Sequence, residues 1–209
     1  MSKVWLITDA ARGLGRTLAE AALRSGARVV AGTRDPGRLA AFAKCHGARV
    51  RIVALDVADE ASIYTAIDEA LTAFGRIDVV VNPAGRVDAI ANGEMNDAVL
   101  RARFETDFFG FAAVAHAVLP VLREQRGGRI VQIVANGDDA DNAAEGAAQT
   151  ALRTYLEALG REVACDGVDI DIIEPGAMLA ETIGRARADA LRTKPSARVV
   201  RLPARPEAA

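Results

Sequence analysis

Short runs of aliphatic and β-branched residues alternate along the chain with longer stretches in which apolar residues recur every three or four positions. Val4–Ile7, Arg28–Ala31, Val50–Val53, Ile77–Val81, Ile130–Val134 and Val168–Ile173 predict strands. Leu14, Leu18 and Ala21 form one helical stripe, and Ile63, Ile67, Leu71 and Phe74 a second. A longer stripe runs through Leu100, Phe104, Phe108, Phe111, Val114, Val118 and Leu122, and the last through Leu152, Leu156, Leu159 and Val163. This alternation predicts an α/β domain: a parallel sheet, covered by helices on both faces, with right-handed crossovers. Within the sixth strand, Asp169 and Asp171 alternate with Val168, Ile170 and Ile172, which predicts a sheet face that is wet or partnered.

Two segments break the pattern. Asn136–Gly146 is polar and acidic, with Asp138, Asp139, Asp141 and Glu145. Because it follows a strand, it is expected at the carboxyl edge of the sheet, where ligands bind in such folds. From Thr193 onward, Pro195, Pro203 and Pro206 mix with Arg198, Arg201 and Arg205. Residues 1–192 are therefore expected to be one domain, and 193–209 an extended or mobile tail, with Arg198–Leu202 as its one candidate strand.

Composition narrows the class without naming a function. The 209 residues are 51% hydrophobic, enough for one full core. A formal net charge of -2 gives no reason to expect nucleic acid or an anionic membrane as partner. Cys45 and Cys165 lack metal-ligand spacing, and no metal is expected. The first strand begins almost at Met1, which leaves no room for a signal peptide, so a reducing, cytoplasmic setting is expected.

The segment joining the first strand to the first helix reads Thr8-Asp9-Ala10-Ala11-Arg12-Gly13-Leu14-Gly15. Glycines at such a junction let backbone approach a pyrophosphate, and the helix start offers amides and a favourable dipole. With this turn, the chain resembles the short-chain dehydrogenase/reductase family, whose turn reads TGxxxGxG. Asp56-Val57 resembles that family's adenine-contacting pair, and Asn82-Pro83-Ala84-Gly85 its NNAG segment. Gly128-Arg129-Ile130-Val131 leads into the strand that ends in the family's serine, and Glu174-Pro175-Gly176 resembles its turn after the sixth strand. The resemblance implies a Rossmann-like doubly wound sheet in the order 3-2-1-4-5-6, with a seventh strand and the substrate-covering helices shortened or missing. Arg12 and Arg34 stand where NADP-preferring members carry basic residues, so NADP is favoured over NAD if a dinucleotide binds.

Several positions depart from the pattern. Asp9 replaces the first glycine and brings negative charge towards a pyrophosphate, at a cost of about 1 kcal/mol in water and about 4 at intermediate dielectric. Pro83 has no N–H to donate. The family's serine, tyrosine and lysine fall on Ala135, Ala148 and Leu152 when counted forward. Counting backward from Glu174 places the last two on Glu145 and Gln149. The asparagine position is Asp107, and the threonine after the PG turn has become Ala180. Neither tyrosine, Tyr64 or Tyr155, has a lysine four residues on.

From these departures the first expectation is a cofactor-independent, non-redox catalyst. In it Asp107, Asp139 and Glu145 serve as acid and base for dehydration, isomerisation or cyclisation of a small molecule. The cofactor expectation is correspondingly none, or weak NADP. A second reading is a pseudoenzyme that binds a dinucleotide or metabolite, or is the inactive partner of an active homologue. A third keeps NADPH-dependent reduction with an unusual proton donor. The two long helices, about 96–124 and 145–164, are expected to support a homodimer, a homotetramer or a mixed oligomer.

Overall fold

The computed structural model describes residues 2–83, 96–134, 143–174 and 198–201. Seven strands form one parallel sheet: β1 (Val4–Ile7), β2 (Arg28–Thr33), β3 (Val50–Ala54), β4 (Val79–Asn82), β5 (Gly128–Ile133), β6 (Val168–Glu174) and β7 (Arg198–Arg201). Their order is β3-β2-β1-β4-β5-β6-β7. The predicted 3-2-1-4-5-6 sheet is therefore present. The candidate strand expected at Arg198–Leu202 is found as Arg198–Arg201, a seventh strand where the resemblance implied one shortened or missing, aligned with Asp171–Glu174 of β6.

Strand periodicity builds the two cores. Val4 and Leu6 enter one apolar cluster, and Trp5 and Ile7 enter the other. On the first face lie α3 (Glu60–Phe74), α5 (Phe111–Glu124) and α6 (Ala143–Val163), packed on Val80, Ile130, Ile170 and Ile172. On the second, α1 (Gly13–Arg24) and α2 (Ala40–His46) cover Val29, Val79, Val81 and Val131. Helix ends follow local chemistry. The Asp59 carboxylate accepts from the Ala61 amide at 3.0 Å to start α3, and Gly75, at φ 75°, ends it. The alternating acids of β6 are partnered: Arg129 pairs with Asp169 at 2.7 Å and with Asp171.

The long apolar stripe over 97–124 is one continuous helical rod with an internal change of pitch. Helix α4 (Asp97–Phe104) passes into a π-helical turn at Glu105–Gly110 and then into α5. By length and composition this rod could cross a membrane. Its α5 apolar residues, including Val114, Val118 and Leu122, are instead buried against the sheet, as in the core helix of a globular domain. The π-turn matters for the site, because such insertions re-aim side chains and concentrate at functional positions.

Leu122 is fully buried and abuts Gly128 at the start of β5. Leu122→Ala is expected to lower unfolding stability by about 2–5 kcal/mol in denaturant melts, with an unchanged m-value.

Candidate active site

The site begins where β1 ends. The Thr8 amide donates to Val81 O at 3.1 Å, and the Ala10 amide to Gly32 O at 2.8 Å, which steers the chain across the sheet edge before α1 starts. A Cβ on Gly15 would lie 1.6 Å from the Asp9 carbonyl oxygen, so only glycine permits this approach. Gly13 has φ 50°, a left-handed backbone that favours glycine. Helix α1 has no acidic residue in its first turn and no side-chain cap at Arg12. Its first amides and the positive end of its dipole therefore suit an anion.

Beside this turn lies a cavity of about 390 Å³. Thr8, Asp9, Ala11 and Arg12 of the turn line it, together with Leu55, Asp56 and Val57 after β3. Thr33, Arg34, Asp35 and Arg38 close one end, and Pro83, Thr106, Asp107 and Phe111 border it as well. Gly110 allows the π-turn to close on Val57, since its Cβ would come within 2.9 Å of Val57 O. Asp56 is oriented within its own turn, accepting from the Ala58 amide at 3.0 Å.

Two acids lining the cavity are engaged by neighbouring groups. The Asp9 carboxylate pairs with Arg12 at 3.6 Å, which offsets its charge near the glycine turn. Asp35 accepts from the Gly37 amide at 3.1 Å and so caps its own short turn. Arg34 and Arg38 stand exposed on either side of it at the cavity end. Arg38 is absent from the sequence-based expectation. Its signal was present: it lies four residues after Arg34, across the Pro36-Gly37 turn.

A buried polar group adjoins the cavity. Asp107, in the π-turn, is 1% exposed, Arg103 of α4 4%, and Glu145 of α6 8%. The Arg103 guanidinium lies 3.5 Å from Asp107 Oδ2, and the Thr106 hydroxyl donates to Asp107 Oδ1 at 2.9 Å. Burial pushes the Asp107 carboxyl above the usual carboxylate range. Thr106 and Arg103 oppose that rise, and the charge of Glu145 adds to it. Glu145, expected both near the end of the acidic segment and at the start of a long helix, sits in the first turn of α6, which starts at Ala143. Ala148 and Leu152 are fully buried on the same helix, and Leu152 belongs to the apolar core. Of the two counts along the chain, the backward one lands on polar side chains, Glu145 and Gln149. Arg103 was also missed, although its spacing of four residues from Asp107 is that of a helical ion pair.

The structure brings Arg12, Arg34, Asp56, Val57 and Asp107 to one cavity, with Gly13, Leu14 and Gly15 forming the start of α1 beside it. Asn82 is buried at the end of β4. Ala84, Gly85, Ala135 and Asp139, with the rest of the acidic segment up to residue 142, lie outside the described residues.

Comparison with known proteins identifies this architecture. The chain belongs to the short chain dehydrogenase family, which it matches over residues 3–191. It is 37% identical over 188 residues to an oxidoreductase of Botryotinia fuckeliana, covering 88% of this chain and 69% of that protein. A short-chain dehydrogenase from Streptomyces avermitilis superposes with a TM-score of 0.85 at 30% identity, over 97% of this chain and 89% of that one. The 3-ketoacyl-(acyl-carrier-protein) reductase of Brucella melitensis, complexed with NADH, superposes with a TM-score of 0.76 at 26% identity, over 86% and 78% of the two chains.

These findings overturn two expectations. Non-redox catalysis by Asp107, Asp139 and Glu145, and the pseudoenzyme reading beside it, conflict with relatives that are oxidoreductases and reductases. The expectation of no cofactor, or only a weak one, conflicts with a dehydrogenase family and a neighbour holding NADH. The physical reason is visible in the site. The charge of Asp9 is met by Arg12, and the glycine cradle is intact.

The raised Asp107 carboxyl makes stability depend on pH in a defined direction. A carboxyl with a raised folded pKa favours the folded state fully below its unfolded value, and that contribution is lost as pH rises through the folded value. The stability of the wild type relative to Asp107→Asn is therefore expected to fall as pH increases from the ordinary carboxylate range through the raised pKa. Denaturant melts across pH measure it; a difference that is flat or rises with pH would contradict the assignment.

Proposed function

We propose that this chain is an NADP(H)-dependent oxidoreductase that interconverts a carbonyl compound and its alcohol, using a proton donor other than tyrosine. The observation that carries this reading is the single cavity running from Arg34 and Arg38, past the glycine turn, to the buried carboxyl of Asp107. The fit to a dinucleotide rests on the cradle at Gly15, which any Cβ would fill, and on the open amides of α1. Arg12 and the start of α1 would hold the pyrophosphate, and Leu55, Asp56 and Val57 would border the adenine. Arg34 and Arg38 would meet the 2′-phosphate, because Asp35, the acid between them, is spent on its own turn. When bound in its reduced form, the dinucleotide supplies a hydride. The chain then has to hold the carbonyl, exclude water and deliver one proton. Ala148 and Leu152 can do none of the proton work, and Tyr155 packs against His116 and Phe108 on the outer face of α6.

Arg34→Ala combined with Arg38→Ala is expected to weaken NADPH about 10- to 1000-fold while changing NADH affinity less than about threefold, as charge-assisted contacts to phosphate require. Calorimetric titration of both cofactors checks it. Equal loss for both would remove the NADP preference, and no binding of either cofactor to the wild type would remove the reading itself.

The outer face of α6 supports self-association. Ala147, Thr150, Ala151, Thr154 and Ala158 form a smooth, uncharged strip beside Phe108, and the neighbouring Phe109 is 53% exposed. A second copy of the chain fits such a strip by two-fold packing. Light scattering on a sizing column is expected to show at least a dimer, and a monomer for Ala151→Arg; an unchanged mass in the variant would contradict it.

A further inference from the structure

Eight buried side-chain polar atoms among the described residues have no hydrogen-bond partner, and seven of them belong to Asn82, Arg103, Asp107, Gln132 and Gln149. A buried polar atom without a partner costs about 1–3 kcal/mol, so such atoms are few in native proteins and call for an explanation. These five residues come from adjoining elements on one face of the sheet. Asn82 ends β4, and Gln132 is its register partner on β5, donating from Nε2 to Asn82 O at 3.4 Å. Arg103 and Asp107 sit four residues apart on α4 and the π-turn. Gln149 follows Glu145 by one turn on the buried side of α6. Of the five, only Asp107 also lines the dinucleotide cavity. It is the point where the buried polar group meets the cavity.

We propose that Asp107 is the proton donor of the reaction, a carboxylic acid that protonates the substrate's carbonyl oxygen, with Arg103 positioned to stabilise the carboxylate left behind. This rests on the NADP(H)-dependent reading above. Asp107 Oδ2, the oxygen without a hydrogen-bond partner, faces the Arg103 guanidinium, while Oδ1 is fixed by Thr106. The other cavity-lining carboxylates are engaged and less buried: Asp9 with Arg12, Asp35 with the Gly37 amide, and Asp56 with the Ala58 amide. Burial favours the neutral form of Asp107 over the carboxylate, which suits it to hold a proton and give it up.

The step is balanced. As hydride arrives at the carbonyl carbon, the carbonyl π pair moves onto oxygen. The O–H bond of the Asp107 carboxyl breaks, its electron pair stays on the carboxylate, and the proton bonds to the substrate oxygen to give an alcohol. Water entering along the cavity restores the proton between turnovers. Among the described residues, the charged groups facing Asp107 are Arg103 from α4, which favours the carboxylate, and Glu145 from α6, which favours the acid.

The experiment compares the wild type with Asp107→Asn, Arg103→Met and Asp139→Asn. Titration with NADPH comes first: failure of the wild type to bind or oxidise it would sink the functional reading, separately from this one. Given binding, Asp107→Asn is expected to keep NADPH affinity within about threefold and to lose about 100- to 10,000-fold in kcat. Infrared difference spectra taken between low and neutral pH should show a protonated-carboxyl stretch persisting above the ordinary carboxylate range in the wild type and missing in Asp107→Asn. Arg103→Met removes the group that opposes protonation, so the alkaline limb of its kcat profile should move to higher pH. This keeps the proposal testable if Asp107→Asn folds poorly. Retention of kcat within about threefold in Asp107→Asn would overturn it. So would loss of kcat in Asp139→Asn alone, or an infrared band that survives in Asp107→Asn.

Discussion

The carbonyl oxygen of Asp9 and the Cα of Gly15 leave no space between them for even a methyl group. That one close approach sets where α1 starts relative to the end of β1, and with it the position of the cavity. The Gly32 carbonyl on β2 receives the Ala10 amide and fixes the turn from the other side. A parallel sheet buried on both faces supplies the rigid platform, since every strand but the edges is held by two neighbours. The cavity is thus a consequence of backbone packing, and it survives changes in side chains around it. Asp9 and Pro83 both line that cavity without closing it.

Electrostatics at the two ends of the cavity serve different purposes. Arg34 and Arg38 are exposed, so solvent screens their charges and they add little to the stability of the fold. At the Asp107 end the groups are almost dry. There burial raises the Asp107 carboxyl, the charge of Glu145 adds to the rise, and Thr106 and the Arg103 ion pair at 3.5 Å oppose it. The same residue type, aspartate, is a turn cap at position 35 and a buried acid at position 107. Burial alone separates the two roles.

The strand and helix pattern was legible because both faces of the sheet are apolar and the helices carry clean stripes. Three features were less so. The π-turn hides in the sequence, since Phe104, Phe108 and Phe111 keep ordinary helical spacing through it. The start of α6 is blurred because Ala143 and Ala144 give no hydrophobic period, so the expected start at 145 falls two residues late and overlaps the acidic segment. Strand β7 is only half legible: Arg198–Leu202 stands out as a candidate strand, but the surrounding arginines and prolines suggest a tail. The function was misread for a chemical reason. A missing tyrosine–lysine pair does not by itself remove redox chemistry, since proton delivery requires only an acid of suitable pKa at the right place. Nothing in the local sequence around Asp107 reports its burial; that comes from α4, the π-turn and α6 packing together.

The central claim is that hydride passes from a nicotinamide cofactor to a carbonyl carbon at this site. The most direct measurement supplies NADPH deuterated at the transferable position with a panel of small ketones and keto-acyl compounds, and examines the products by mass spectrometry. The account predicts an alcohol carrying one deuterium on its carbinol carbon. Cofactor recovered with its label intact, and no labelled alcohol across the panel, would contradict it.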